Sequence, residues 1–245
     1  MSQLLRVFAA GSLRRAFTPL LAAFSRQMNI EIAVDFAPAG ILRQRIEQGE
    51  SVDLFASANS LHPQMLQQQG LAHEIRLFAH NRLCLTVRDL PEWADKSWLD
   101  WLRCHDFIVG TSTPECDPGG DYAWQLFDNI TSHCSDYPDL GNELKQRAKP
   151  LVGGINSLVI PAGEQAAAWL IANRFADMFI GYASYTIYTE QQNNGLRVLT
   201  IPEPYNVRAD YMLATFSQNG ALLADYICSL EGRSYLQQNG FIIPA

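Results

Sequence analysis

The sequence predicts an α/β protein in which strands and helices alternate around a mainly parallel sheet. A short apolar run over residues 7–10 stops at a glycine and a serine, and a helical pattern follows at once. Residues 30–36 alternate like a half-buried strand, and a second helical pattern follows Gly40. Residues 52–57 predict a third strand. In such sheets ligands bind beyond the carboxyl ends of the strands.

The first helix has one apolar face. Its apolar side chains recur at three- and four-residue spacing: Leu13, Phe17, Leu20, Leu21 and Phe24. Ser12 stands where an N-cap is expected, and a serine in that position most often only caps the helix. The free N–H groups of a helix start, together with a serine hydroxyl, are also suited to binding an anion.

The remainder of the chain continues the alternation. Residues 82–87 predict a strand that enters a second lobe. The other predicted elements are a helix over 60–69, strands over 107–110 and 178–182, helices through 122–127 and over 163–173, two strands within 196–216, and helices near 219–230 and 232–238.

Composition narrows the classes of function. The 245 residues are 48% hydrophobic and 18% charged, enough for one large or two modest domains with a substantial core. The net charge of −7 and the lack of a basic run argue against a nucleic-acid partner. No apolar stretch approaches the ~20 residues of a membrane span, so a membrane-inserted protein is not expected. Residues 1–6 lead directly into the first strand, without a signal peptide.

The cysteines, the histidines and the sequence motifs give little indication of catalysis or metal binding. None of the five cysteines forms a Cys-x-x-Cys pair, although Cys116 and Cys134 are candidates for a disulfide in an oxidising compartment. The histidines are scattered singly, and no nucleophile elbow, zinc motif or phosphate loop appears. Ser12 without a partnered base is a poor nucleophile. We therefore expect no enzymatic activity, no cofactor and no resident metal.

Several segments, in their order and spacing, resemble the molybdate-binding proteins of bacterial ABC importers. These segments are residues 9–13 (Ala-Ala-Gly-Ser-Leu), 40–49, 53–58, 70–71, 78–83, 117–122 (Asp-Pro-Gly-Gly-Asp-Tyr), 176–183 and 240–241. The resemblance covers most of the chain. It implies a two-lobed periplasmic-binding-protein fold of type II, with a hinged cleft and a mixed, mainly parallel sheet flanked by helices in each lobe. Lobe one is expected over 1–81 plus 197–245, and lobe two over 82–196.

The resemblance implies five ligand-contacting positions. Ser12 matches a serine that gives a hydroxyl and an amide, and Tyr182 matches a tyrosine whose hydroxyl donates to the oxyanion. Gly119 matches a small residue that gives an amide. Ala39 replaces the family's second serine, which removes a hydrogen bond worth roughly 1.5–3 kcal/mol to a charged ligand. Glu164 replaces an apolar residue that donates its amide.

Glu164 is the larger departure from the family pattern. A carboxylate ~4 Å from a dianion costs several kcal/mol at an effective dielectric near 20. Three arrangements would relieve this repulsion: the side chain points to solvent, it is protonated, or it ligates the metal of the oxyanion. A carboxylate after Gly163, at the start of a helix, also simply stabilises the helix dipole.

Other charges near the implied site have two interpretations. Arg14 and Arg15 in the first helical turn, with Arg43 and Arg45 further along, either balance an anion or are ordinary surface arginines. Asp117 and Asp121 flank the Gly119 turn. Aspartates in such turns most often cap the backbone, and would be the first candidates if the ligand included a cation.

The resemblance implies a periplasmic binding protein whose leader has been removed. It would hold a molybdate- or tungstate-like oxyanion and deliver it to the membrane permease of an ABC importer, and a monomer is expected. A cage of uncharged donors suits a fully deprotonated anion. Two alternatives remain open: a binding protein for another small anion, such as a carboxylate or phosphate ester, and a cytosolic anion sensor or enzyme on the same fold.

Overall fold

The computed structural model describes residues 4–161, 163–192 and 195–245. The chain divides into two compact units. Unit 1 contains the chain up to Asn81 and Ala209–Ala245, and unit 2 contains Arg82–Arg208.

Strands and helices alternate through most of the chain, as the sequence predicts. The strands are β1 (Leu4–Ala10), β2 (Glu31–Ala37), β3 (Leu54–Ser57), β4 (Glu74–Arg88), β5 (Val109–Ser112), β6 (Lys149–Val152), β7 (Met178–Tyr182), β8 (Leu196–Thr200) and β9 (Arg208–Thr215). The α-helices are α1 (Arg14–Met28), α2 (Ala39–Glu47), α3 (Leu61–Gln68), α4 (Trp98–Arg103), α5 (Pro118–His133), α6 (Leu140–Arg147), α7 (Ala166–Ala172), α8 (Thr186–Gln192), α9 (Gln218–Cys228) and α10 (Leu230–Gln238). The α/β class is confirmed.

The sheet of unit 1 has the strand order β2-β1-β3-β9-β4. Strand β1 pairs in parallel with both β2 and β3, and β9 joins β3 in the antiparallel direction. The register places Ala10 opposite Ala37, and Ala9 opposite Ala56. The carboxyl ends of β1, β2 and β3 therefore lie side by side at one edge of this sheet.

The core of unit 1 forms where α1 covers the sheet. All five apolar residues predicted to share one face around α1 are buried. Phe17 packs against Phe78 with ring centroids 5.9 Å apart, and Phe78 meets the ring of Tyr211 edge-on at 6.2 Å. Tyr211 also meets Phe241 edge-on, at 5.2 Å. This aromatic row fixes the position of β9, which carries Tyr211.

The sheet of unit 2 is mixed. Strand β7 pairs in parallel with β5 and antiparallel with the second half of β4, while β6 pairs in parallel with β5. The carboxyl ends of β5, β6 and β7 therefore share one edge of the sheet. Strand β8 pairs with β4 over Cys84–Arg88, so residues 196–200 belong to unit 2. The second boundary between the units accordingly lies at 208/209, whereas the sequence places it at 196/197.

The proposed pairing of Cys116 with Cys134 is wrong. Cys116 precedes α5 and Cys134 follows its last residue. A 16-residue helix is about 24 Å long, whereas the Cα atoms of a disulfide lie within about 7 Å of each other. All five cysteines are free thiols. Burial raises the pKa of the Cys84 thiol to about 12, so this cysteine is an apolar core residue.

Over residues 4–161, 163–192 and 195–245, the helices are too short or too polar for any of them to cross a membrane.

Candidate functional site

Ser12 lies in the turn that follows β1. This turn is a single 3₁₀ turn over Gly11–Leu13, and α1 begins only at Arg14. Ala10 and Leu13 occupy the two N-cap positions, and neither cap uses a side-chain hydrogen bond. The prediction that Ser12 caps the helix is therefore wrong, because a 3₁₀ turn separates strand from helix. The Ser12 hydroxyl instead forms a 2.9 Å hydrogen bond with the hydroxyl of Tyr211.

Ala39 is the first residue of α2, after β2. The N–H of Leu42 donates to the carbonyl of Pro38, the first hydrogen bond of this helix. The N–H groups of Ala39, Gly40 and Ile41 therefore have no acceptor within the helix. Because Ala10 and Ala37 are paired across β1 and β2, the Ser12 turn and the start of α2 follow neighbouring strand ends.

A buried polar cluster that the sequence analysis did not identify follows β3. The Ser57 hydroxyl donates to Asn59 Oδ1 at 2.9 Å, and Asn59 Oδ1 also accepts from the N–H of His62 at 3.2 Å. Ser57, Asn59 and His62 are all buried. The signal in the sequence was a serine that ends an apolar strand and an asparagine two residues beyond it.

Neither nitrogen of the His62 ring has a hydrogen-bond partner among the described residues. Only 4% of the residue is exposed. Burial, together with the positive charge of Arg43, lowers the pKa of His62 to about 4. His62 is therefore neutral at pH 7.

Gly119 and Tyr182 lie close together in unit 2. A Cβ atom added to Gly119 would lie 3.6 Å from Tyr182 Cε2 and 3.2 Å from the hydroxyl oxygen of Ser112. Ser112 and Tyr182 end the parallel strands β5 and β7, and Gly119 is in the first turn of α5. Tyr182 is 7% exposed, and its ring meets that of Tyr122 edge-on at 6.4 Å. Gly119 and Tyr182, two of the ligand positions that the resemblance implies, therefore lie together at the start of α5.

Asp117 is the N-cap of α5, and its carboxylate accepts a 3.2 Å hydrogen bond from the N–H of Gly119. The Ser112 hydroxyl donates to the same carboxylate. Burial raises the pKa of Asp117, and the negative charge of Asp121 raises it further. Asp121 in turn accepts from the N–H of Glu115 at 2.7 Å. The prediction that these aspartates cap the turn is confirmed, and the Gly119 amide has a carboxylate acceptor.

Gly153, after β6, packs directly on Asp117. Its φ is +80°, and an added Cβ would lie 2.7 Å from both Cβ and Oδ2 of Asp117. Only glycine fits this contact without displacing the carboxylate. The described residues contain no group of three or more histidine, cysteine or acidic side chains placed to hold a metal ion.

Glu164 lies in the loop before α7, exposed to solvent. Its N–H donates to the carbonyl of Pro161 at 3.1 Å, so this amide has an acceptor within its own turn. Helix α7 begins two residues later, at Ala166. The residue lines a cavity of about 570 Å³ beside α7 whose other lining residues include Arg88, Trp169, Arg174 and Leu196.

The arginines considered as balancing charges have local partners. Arg43 pairs with Glu47 at 2.6 Å. Arg45 pairs with Asp35 at 2.5 Å and with Glu50 at 2.6 Å. Ion pairs at the protein surface are typically worth about 0–1 kcal/mol, and these pairs are partly buried there.

Arg14 is exposed, and its guanidinium lies 4.6 Å from the centre of the Phe36 ring. Arg15 is also exposed in the first turn of α1.

Comparison with known proteins agrees with this architecture. The sequence profile of the bacterial extracellular solute-binding protein family matches residues 5–242. An uncharacterized protein of Pasteurella multocida is 44% identical over 240 residues, covering 97% of this chain and 98% of that protein.

Two solved structures have the same fold. The periplasmic molybdate-binding protein of Azotobacter vinelandii superposes with a TM-score of 0.78 at 17% identity, over 98% of this chain and all of that one. The sulfate-binding protein of Mycobacterium tuberculosis superposes with a TM-score of 0.76 at 14% identity, over 98% of this chain and 86% of that one. The fold is that of periplasmic binding proteins.

Proposed function

We propose that this chain, which belongs to the bacterial extracellular solute-binding protein family, captures a small tetrahedral oxyanion and delivers it to the membrane permease of an ABC importer. The observation that carries the proposal is the Ser12 hydroxyl, held by Tyr211 beside the start of α2. The protein would bind its ligand without chemical turnover.

The donors of unit 1 are uncharged and preorganised. When Tyr211 donates its proton to the Ser12 oxygen, Ser12 keeps its own proton for a ligand. The amides of Ala39, Gly40 and Ile41 add the positive end of the α2 dipole at the neighbouring strand end. Such a set favours a compact anion, because the donors need no rearrangement when it binds.

The proposed donor of unit 2 is the hydroxyl of Tyr182, whose ring lies beside Gly119 at the start of α5. The Glu164 amide donates to the Pro161 carbonyl, so Glu164 would contact the ligand through its side chain. Molybdate and tungstate follow from the sequence resemblance. Structures named for molybdate and for sulfate share this fold, so all three anions, together with phosphate and citrate, should be compared.

Isothermal titration at neutral pH tests the proposal directly. We expect at least one tetrahedral oxyanion to bind with a micromolar or lower Kd. Ser12→Ala and Tyr182→Phe should each weaken that binding at least several-fold. Ser132→Ala is the matched control, because its hydroxyl is exposed and donates only to the Asp128 carbonyl on α5. Absence of oxyanion binding, or unchanged affinity in both site variants, would overturn the proposal.

The proposed location is the periplasm, since proteins of this family act outside the cytoplasm. Fractionation of cells that express the native gene tests this location. Recovery with the periplasmic fraction would support import, whereas recovery with the cytosol would favour an anion sensor on the same fold.

A further inference from the structure

The cavity of about 570 Å³ beside α7 in unit 2 has a basic part, which is lined by Arg88, Trp169, Arg174 and Leu196. We propose that this part of the cavity is a second binding site, which takes a small aromatic carboxylate. The ring of the ligand would lie against Trp169, and its carboxylate would pair with Arg174. Cavities of about 300–1,000 Å³ are typical of small-molecule sites. The inference goes beyond the proposed function and does not depend on it.

The basic part of the cavity lies away from the oxyanion donor proposed for unit 2. Arg88 ends β4, and it is paired in the sheet with Leu196, the first residue of β8. The Arg88 guanidinium pairs at 3.1 Å with Asp177, which directly precedes β7. Tyr182 is the last residue of β7, so about 16 Å of strand separates it from Asp177. The basic part therefore adjoins the edge of the sheet opposite to that of Tyr182.

Trp169 supplies an aromatic wall that is already fixed. Its ring is stacked on that of Phe175, with centroids 5.4 Å apart and planes inclined by 18°. Trp169 also lines the cavity and is partly exposed. Because Phe175 covers one face of the indole ring, a ligand in the cavity meets the part of the ring that remains exposed. An aromatic ring can pack there, offset or edge-on, without a rearrangement of the protein.

Two guanidinium groups give this part of the cavity its positive charge. Arg88 is paired with Asp177, whose carboxylate also accepts a 2.9 Å hydrogen bond from the N–H of Ile108. Arg174 is exposed, and no acidic side chain forms an ion pair with it in the described part of the chain. The acidic lining residue, Glu164, is separated from Arg174 by the seven residues of α7, about 10 Å of helix. A ligand carboxylate would therefore pair with Arg174, whose planar guanidinium matches it.

The backbone of Arg174 is a further sign that its side chain has a function. Helix α7 ends at Ala172, and the N–H of Phe175 donates to the Leu170 carbonyl at 2.9 Å, which closes the last turn. Arg174 lies in this turn with a φ of +61°. Glycine is the usual residue in this left-handed conformation, and an arginine there has a higher backbone energy. The chain thus has a charged, cavity-lining side chain where glycine would be more stable.

Isothermal titration with four probes tests the site. Phenylacetate carries both ring and charge, whereas phenylacetamide lacks the charge, cyclohexylacetate lacks the aromatic ring and acetate lacks any ring. Arg174→Gly removes the guanidinium at a position that favours glycine, so this variant should be at least as stable as the wild-type protein. Asn29→Gly is the matched control, because Asn29 follows α1 in unit 1 with a φ of +52°. Urea denaturation shows that each variant is folded.

We expect phenylacetate to bind the wild-type protein with a Kd below about 1 mM. Phenylacetamide and acetate should bind at least about tenfold more weakly, and cyclohexylacetate at least about threefold. Arg174→Gly should weaken phenylacetate binding at least about tenfold, and Asn29→Gly should leave it within about twofold. Phenylacetate should also change the tryptophan fluorescence of the wild-type protein, and Trp169→Phe should remove that change.

Three results would overturn the inference: no binding of phenylacetate up to about 10 mM, equal binding by the wild-type protein and Arg174→Gly, or displacement of phenylacetate by molybdate or sulfate. The last result would assign phenylacetate to the oxyanion site. Titration of the same samples with oxyanions decides the proposed function separately, since Arg174→Gly should leave oxyanion affinity within about twofold.

Discussion

The hydroxyl groups of Ser12 and Tyr211 lie 2.9 Å apart, although 199 residues separate them in the chain. Tyr211 is fully buried in β9, and its ring is fixed by Phe78 and Phe241. The core of unit 1 therefore sets the orientation of the one serine hydroxyl in the turn after β1. Capping contributes nothing to that orientation, since neither helix start uses a side-chain cap.

The Ser12–Tyr211 pair should behave as one unit in binding. Tyr211→Phe removes the hydroxyl but keeps the ring, so we expect a loss of about 1 kcal/mol in the free energy of unfolding. Ligand affinity should fall a few-fold, because the Ser12 hydroxyl becomes free to rotate. The double variant with Ser12→Ala should bind about as weakly as Ser12→Ala alone. Titration of all four proteins checks this, and strictly additive losses would count against the pair.

Substitutions at Gly153 and Gly163 distinguish the energetic cost of backbone strain from that of the contact with Asp117. Both have positive φ, but an added Cβ at Gly163 meets nothing within 4 Å, whereas one at Gly153 meets Asp117 at 2.7 Å. We expect Gly163→Ala to cost about 1 kcal/mol of stability. Gly153→Ala should cost about 1–3 kcal/mol more, because the carboxylate must move. Urea denaturation measures both values, and equal losses would show that the Asp117 contact is unimportant.

The sequence predicted the elements that have strong local patterns. Strand β7 spans the predicted residues 178–182, and the apolar spacing in and before α1 identified a face that is buried. The sequence did not reveal β6, which begins with Lys149-Pro150 and lacks alternation. Proline is confined to the edges of sheets, and β6 is the last strand in its sheet. Helix α6 was missed because its short polar sequence is stabilised mainly by packing on α5.

The parts of the candidate site that depend only on the order of the elements along the chain were predictable from the sequence. Parallel pairing of β1 with β2 brings Ser12 and Ala39 to neighbouring strand ends, and the Asp117 cap is local to its own turn. The Ser12–Tyr211 bond has no local signal, since it depends on how β9 enters the sheet. The hydrogen bond from Glu164 to Pro161 depends on the path of a loop, which residue types do not determine.

The cysteines provide a direct check on the fold of unit 2, which contains four of the five. Since Cys116 and Cys134 lie at opposite ends of α5, we expect five thiols to react after denaturation without a reductant. Buried Cys84 should be unreactive in the native protein. Intact-mass measurement after alkylation counts the reacted thiols, and a fully reduced sample is the control. Three reacted thiols and a linked Cys116–Cys134 peptide would contradict this arrangement.

Buried His62 should make unit 1 sensitive to acid. Its pKa is lowered to about 4 by burial, and the ordinary value in the unfolded chain is about 6.5. As the pH falls through this range the unfolded chain takes up the proton first, so the free energy of unfolding decreases by up to about 3 kcal/mol and levels off below about pH 4. His62→Leu should remove this part of the pH dependence, whereas His73→Leu at an exposed position should not. Urea denaturation between about pH 4 and pH 7 measures the difference, and parallel curves for the wild-type protein and His62→Leu would refute it.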